Sequence, residues 1–146
     1  MIRLALEKTG IRHNMDENKV DIRLNQSPFW NLDLDIGAAE IDMDLRDYRI
    51  DSTSINAGAS SIDIKIGERN PLTTLIFNAG ASSISIEIPR SSGCQITSES
   101  FMVSKEFDGF IKTGNGLYET PNFKDAPNQI RIVIKTAVSK IEVTRI

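Results

Sequence analysis

The stretch richest in reactive side chains holds Asp33, Asp35, Asp42, Asp44 and Asp47. Carboxylates this close in sequence suit a calcium site, because hard cations gather several oxygens. A pair of them across a cleft would suit sugar hydrolysis, one as acid and the other as base or nucleophile. The same aspartates, however, alternate with Leu32, Leu34, Ile41, Met43 and Leu45. That pattern is what half-buried strands produce, apolar side in and carboxylates out, and it is the reading preferred here. His13, the only histidine, lies in a polar segment beside Asn14 with no nucleophile motif near it. Any Ser-His-Asp or Cys-His arrangement would depend on that one residue. Cys94, the only cysteine, alternates with Ile96 and reads as a structural thiol. One histidine and one cysteine do not make a zinc site of the usual composition. No catalytic residue, metal ligand or cofactor site is assigned, and the chain reads as a non-enzyme.

What would position these residues is a repeat. Asp35-Ile36-Gly37-Ala38-Ala39-Glu40-Ile41-Asp42-Met43 is followed by Asn56-Ala57-Gly58-Ala59-Ser60-Ser61-Ile62-Asp63-Ile64, then by Asn78-Ala79-Gly80-Ala81-Ser82-Ser83-Ile84-Ser85-Ile86. The glycines are 21 and 22 residues apart. A fixed period of this size marks a solenoid, in which each repeat is one rung and needs its neighbours to bury its apolar face. Alternation on both sides of the glycine predicts two strands per repeat, joined at a corner. Gly37, Gly58 and Gly80 are assigned as corner residues, where a positive φ or a close approach favours glycine. A phosphate-cradling loop would need a helix N-terminus or a basic partner, and neither accompanies the motif.

Superimposing the repeats predicts inward columns Leu34–Ile55–Phe77–Ile134, Ile41–Ile62–Ile84–Ile141 and Met43–Ile64–Ile86–Val143. Each buried side chain in such a file contributes about 1.5–3 kcal/mol. Outward columns are Asp44–Lys65–Glu87 and Asp35–Asn56–Asn78–Lys135, the latter able to bond as an amide ladder. A degenerate last copy, Ile130 to Val143, has Ala137 where the others have glycine and reads as a terminal rung. Residues 1–19 read as a lead-in segment and 20–146 as a single β-solenoid domain, with no helix. Pro89 to Asn128 reads as a distorted rung carrying a long surface loop. Phe29-Trp30 is expected to cap an end of the stack. Phe107, Phe110, Tyr118 and Phe123 in the loop region form the candidate interaction surface.

Bulk properties narrow the class. The chain has 146 residues, 40% hydrophobic and 25% charged, with net charge −3. Its 17 basic residues are scattered, which argues against nucleic acid as partner. A single cysteine precludes an intrachain disulfide. No apolar run is long enough to span a bilayer, so no membrane insertion is expected of this segment.

The Gly-Ala-Ser-Ser-Ile-x-Ile unit resembles the toastrack-type adhesin family. It is especially similar to the soluble C-terminal domains of LiaF-like bacterial membrane proteins. The tail carries the resemblance too, in Ile88-Pro89, Gly93, Gly109-Phe110, Gly114-Asn115-Gly116, Tyr118, Pro121-Asn122-Phe123 and the last copy. The resemblance implies a right-handed, single-stranded β-helix-like solenoid and association with the bacterial cell envelope, commonly behind a membrane-spanning region. It implies no catalytic residues and no cofactor. The function expected is a scaffold or sensor that binds a protein at the envelope, such as a membrane histidine kinase in a stress response, or binds itself. The alternative is a polysaccharide-binding or adhesin-like domain using the aspartates at 33–47.

Overall fold

The structure, a computed structural model, describes residues 2–6 and 25–146. His13, Val20, Ile22, Leu24 and the polar turn at 14–19 lie outside the described residues. Eight strands form one sheet: β1 (Ile2–Leu6), β2 (Phe29–Leu45), β3 (Arg49–Ile66), β4 (Leu72–Ile88), β5 (Gly93–Phe107), β6 (Ile111–Gly114), β7 (Leu117–Glu119) and β8 (Gln129–Arg145). The chain is an all-β, β-helix-like solenoid, with no helix among the described residues.

Each rung is one continuous strand through its corner, where the sequence suggested two. The corner is written as a change of phase. Strand side chains alternate with period two, yet the buried residues step from Ile55 to Ile62 in β3 and from Phe77 to Ile84 in β4. Seven is odd, so the alternation slips once between them. The parallel ladder is unbroken along the corner except at the glycine: Ile36 pairs with Ala57 and Ala38 with Ala59, skipping Gly37 and Gly58. The same position is skipped at Gly58/Gly80 and at Gly80/Ala137. Residues before and after the slip belong to one apolar core, which runs from Leu32 to Val143.

The predicted columns are the observed register. Leu34, Ile55, Phe77 and Ile134 pair in succession, as do Ile41, Ile62, Ile84 and Ile141, and Met43, Ile64, Ile86 and Val143. All are buried except Leu34 and Met43, which are half-buried on β2 and pack on the core. Each row of identical or similar side chains follows from the in-register parallel stacking.

The order of the rungs departs from the sequence expectation. The sheet runs β1-β2-β3-β4-β8-β5-β7-β6. The last copy in the chain is an interior rung, parallel to β4 on one side and β5 on the other. Its inward residues Ile130, Ile132, Ile134, Ile141 and Val143 are at most 1% exposed, as an interior position requires. The segment read as a distorted rung with a loop supplies a full rung, β5, and the antiparallel strands β6 and β7, of which β7 pairs with the open edge of β5 at Gln95–Thr97. A four-residue final strand with a register shift between Lys112 and Gly114 is a poor template for further pairing.

Candidate interaction surfaces

Two of the three corner glycines, Gly58 and Gly80, owe their identity to the neighbouring rung, whereas a Cβ on Gly37 would meet nothing within 4 Å among the described residues. None has a positive φ; among the described glycines only Gly109 and Gly116 do. A Cβ on Gly58 would instead stand 2.6 Å from the carbonyl oxygen of Gly37 on the preceding rung, and one on Gly80 would stand 3.0 Å from that of Gly58. At this position the Cα–H points along the stack, so a side chain would collide with backbone. The contact is tightest at Gly58 and looser at Gly80, and β8 carries Ala137 at this position.

The outer faces are polar columns. Asn56 Nδ2 donates to Asp35 Oδ1 (2.8 Å) and Asn78 Nδ2 to Asn56 Oδ1 (3.0 Å), the expected amide ladder. Lys135 continues it and lies 4.0 Å from Glu99. In the other column Lys65 reaches Glu87 at 3.9 Å. Asp44 turns away from that lysine to Arg46, whose Nε and Nη2 donate to its two oxygens at 2.8 and 2.6 Å. Those bonds hold the Asp44 carboxyl down to a pKa of about 2. Beside this column runs an acidic one, Asp42–Asp63–Ser85–Glu142–Glu106, in register across five rungs. Asp33 and Asp35 precede the corner and Asp42 and Asp44 follow it, so the aspartates divide between two faces. Among the described residues no three His, Cys, Asp or Glu side chains gather as a metal site would need.

The loop aromatics converge on one end of the core. Phe107 pairs in register with Val143 and so extends the Met43–Ile64–Ile86 column onto β5. Its ring lies 5.9 Å from that of Phe110 and 4.9 Å from Tyr118, edge to face. Lys105, which occupies the Ile141 column on β5, stands 5.7 Å over the Tyr118 ring. These three rings are half-buried against the core; Ile111, next in sequence to Phe110, is 56% exposed. Phe123 is placed elsewhere and is buried, with its backbone against Gly93. At the other end of the rungs in sheet order, Trp30 packs on the core and donates Nε1–H to the Asn25 carbonyl (2.7 Å). Phe29 beside it is exposed, with the Arg49 guanidinium 5.6 Å above its ring.

A polar stack at the entry to the rungs escaped the sequence reading. Asn70, Asn128 and Ser92 are buried just ahead of β4, β8 and β5. Asn128 Nδ2 donates to the Asn70 carbonyl (3.1 Å), and Ser92 Oγ donates to Asn128 Oδ1. Asn70 Nδ2 in turn reaches the Ile50 carbonyl on the next rung (2.9 Å). Arg145 Nη2 ties the same end together through the Arg90 carbonyl (2.5 Å) and Asn122 Oδ1 (3.2 Å). An Asn, Asn, Ser series preceding strands is a visible signal, but only the true strand order brings it into one column. Beside it lies a recess of about 340 Å³ bounded by Glu68, Arg69, Pro71, Ser91, Pro127 and Asn128. Cys94 is fully buried nearby, and burial raises its thiol pKa far above the ordinary range. A thiol held protonated is a poor nucleophile.

Among curated proteins no sequence matches this chain significantly. Among solved structures the fold is similar to the crystal structure of a "putative cell adhesion protein" from Clostridium sporogenes, with a TM-score of 0.79 and 20% identity. That likeness covers 91% of this chain and 68% of the other. The family profile described as the N-terminal domain of toast_rack, DUF2154, matches residues 2–87, more than half of the chain. With the glycine-cornered rungs of β2, β3 and β4 inside that match, the chain belongs to the toast_rack family.

Proposed function

We propose that this domain is a non-catalytic scaffold or sensor module of the bacterial cell envelope that binds a protein partner. The observation that carries the reading is the end of the stack at β5–β7. There Phe107, Phe110 and Tyr118 are half-buried beside Lys105, with Ile111 exposed at the margin. Aromatic anchors with an apolar neighbour and a cation are the composition of binding hot spots. The rest of the domain acts as a stiff support, because every rung is fixed by in-register ladders on its flanks. Membership of the toast_rack family supports an envelope setting, and a membrane histidine kinase of a stress response is the partner class to seek. No helix among the described residues is long and apolar enough to cross a membrane.

The second reading, an adhesin-like or polysaccharide-binding domain, is favoured by the description of the Clostridium sporogenes protein as one of cell adhesion. Photo-crosslinking in the native cell separates the two. A photoreactive side chain at Ile111 is expected to capture a membrane-resident protein, and one at Ser83, on the outer face after the corner, is not. Retention of glycan at Ile111, or equal capture at both positions, would overturn the proposed interface.

A further inference from the structure

The strand order β4-β8-β5 implies a strand-accepting slot. The chain leaves β4 through residues 89–92, builds β5, β6 and β7, crosses by residues 120–128, and only then lays β8 between β4 and β5. The walls of the slot are therefore joined to each other by a four-residue connection before its occupant exists. Both walls offer parallel ladder partners along the whole of β8, from Gln129 to Arg145 on β4 and from Gln129 to Val143 on β5. Without β8 each wall is an open edge, and the Ile55–Phe77 and Ile62–Ile84 columns stop at β4. Such an edge takes up an extended segment through main-chain bonds, with specificity from alternate side chains. The segment must carry apolar residues at the spacing of Ile130, Ile132 and Ile134, then, after the phase slip, of Ile141 and Val143.

A second copy of the chain carries that segment in the required register. We propose that two copies associate by exchanging β8, each completing the other's stack. Ladder bonds, apolar columns and the Asn70–Asn128–Ser92 stack are the same whether β8 comes from its own chain or from another. What an exchange gives up is local to the hinge: the turn bonds from Phe123 N–H to the Thr120 carbonyl (3.1 Å) and from Asp125 and Ala126 N–H to that of Asn122 (3.2 and 2.9 Å), the contacts of the Asn122 amide with the Ser91 and Ser92 carbonyls, and the burial of Phe123. Opened, residues 120–128 reach about 30 Å. Pro121 and Pro127 bias the residues before them to extended conformations, which suits an opened hinge. Because β8 follows both of its walls in the chain, the slot is empty until β8 is made, and a neighbour's strand competes for it.

The test uses full-length chains that retain the buried Cys94. Ser83 on β4 and Lys140 on β8 are register partners and both exposed. Adjacent strands lie within disulfide-forming distance. One preparation carries Ser83→Cys, a second carries Lys140→Cys, and a control carries both. The single variants are refolded together and oxidised, and the wild-type chain is refolded across a concentration series and sized by light scattering. The expected result is a mixed disulfide-linked dimer in excess of either self-linked species. It is accompanied by a wild-type dimer whose share rises with refolding concentration and which persists on native dilution. A wild-type chain that is monomeric at every refolding concentration overturns the proposal. So does a dimer that gives no mixed cross-link while the double variant closes within its own chain.

Discussion

At the scale of the residue, the repeated glycine illustrates what a pattern discloses and what it hides. Its recurrence at 37, 58 and 80 is plain in the sequence, and so is its place at the corner. The reason at Gly58 and Gly80 is not, because it lies in the carbonyl of another rung and not in the local φ. Gly58→Ala is therefore expected to cost about 1–3 kcal/mol, as forced overpacking does. Gly80→Ala, at the looser contact, is expected to cost less, and paired denaturant melts measure both. Thr53 gives the opposite case. It stands in register between Leu32 and Leu75, is 1% exposed, and its hydroxyl has no partner among the described residues. Thr53→Val keeps the shape and removes a desolvated group, so the unfolding midpoint should rise, by about 1 kcal/mol in stability. Asp44 was legible as a member of a charged column, but its bond to Arg46, two residues away, overrides the stacked Lys65. Its depressed pKa means that this pair's stabilisation is complete above the ordinary carboxylate range near 4 and is lost as pH falls through about 2. The Asp44 carboxyl carbon followed by NMR should titrate near 2, returning to the ordinary range in Arg46→Gln. Both side chains are about half exposed, so the effect on global stability is small.

At the scale of the element, rungs with a strict period could be aligned by eye, and their register is the observed one. β5 could not, because Ser98 and Lys105 stand in columns that are leucine, isoleucine or phenylalanine elsewhere. A rung that ends the main stack is free to lose apolar residues, since the β6–β7 hairpin and its aromatics cover part of its edge. That hairpin had a signal in Asn115-Gly116, a dipeptide suited to tight turns, and Gly116 does adopt φ +66°. The signal is weak because the flanking strands, Ile111–Gly114 and Leu117–Glu119, are too short to show alternation. Rung entry depends on Asn128, buried and bonded to both Asn70 and Ser92. Asn128→Ala leaves two buried polar groups without partners and is expected to cost about 1–3 kcal/mol. Asn122→Ala, whose amide sits 3.3 and 3.4 Å from the Ser91 and Ser92 carbonyls, should cost less in the same melt.

At the scale of the whole molecule, composition disclosed the class and the repeat disclosed the architecture, while the order of rungs needed three dimensions. Sequence neighbours are stack neighbours through β2, β3 and β4, and that regularity makes the last copy look terminal. Its five fully buried inward side chains show why it is central: a terminal rung exposes one flank, and β8 exposes neither. Cys94, buried beneath Ile130 on the β8 ladder, reports on the integrity of this arrangement. Its thiol should resist alkylation in the native protein and react at the rate of opening. The most direct test of the account is amide hydrogen exchange resolved by residue. β8, laddered on both sides, should hold the slowest amides, from Ile130 to Val143, and β6 the fastest of the sheet. Amides of β8 exchanging as fast as those of β6, with β4 and β5 still protected, would contradict the placement of the last strand at the centre of the stack.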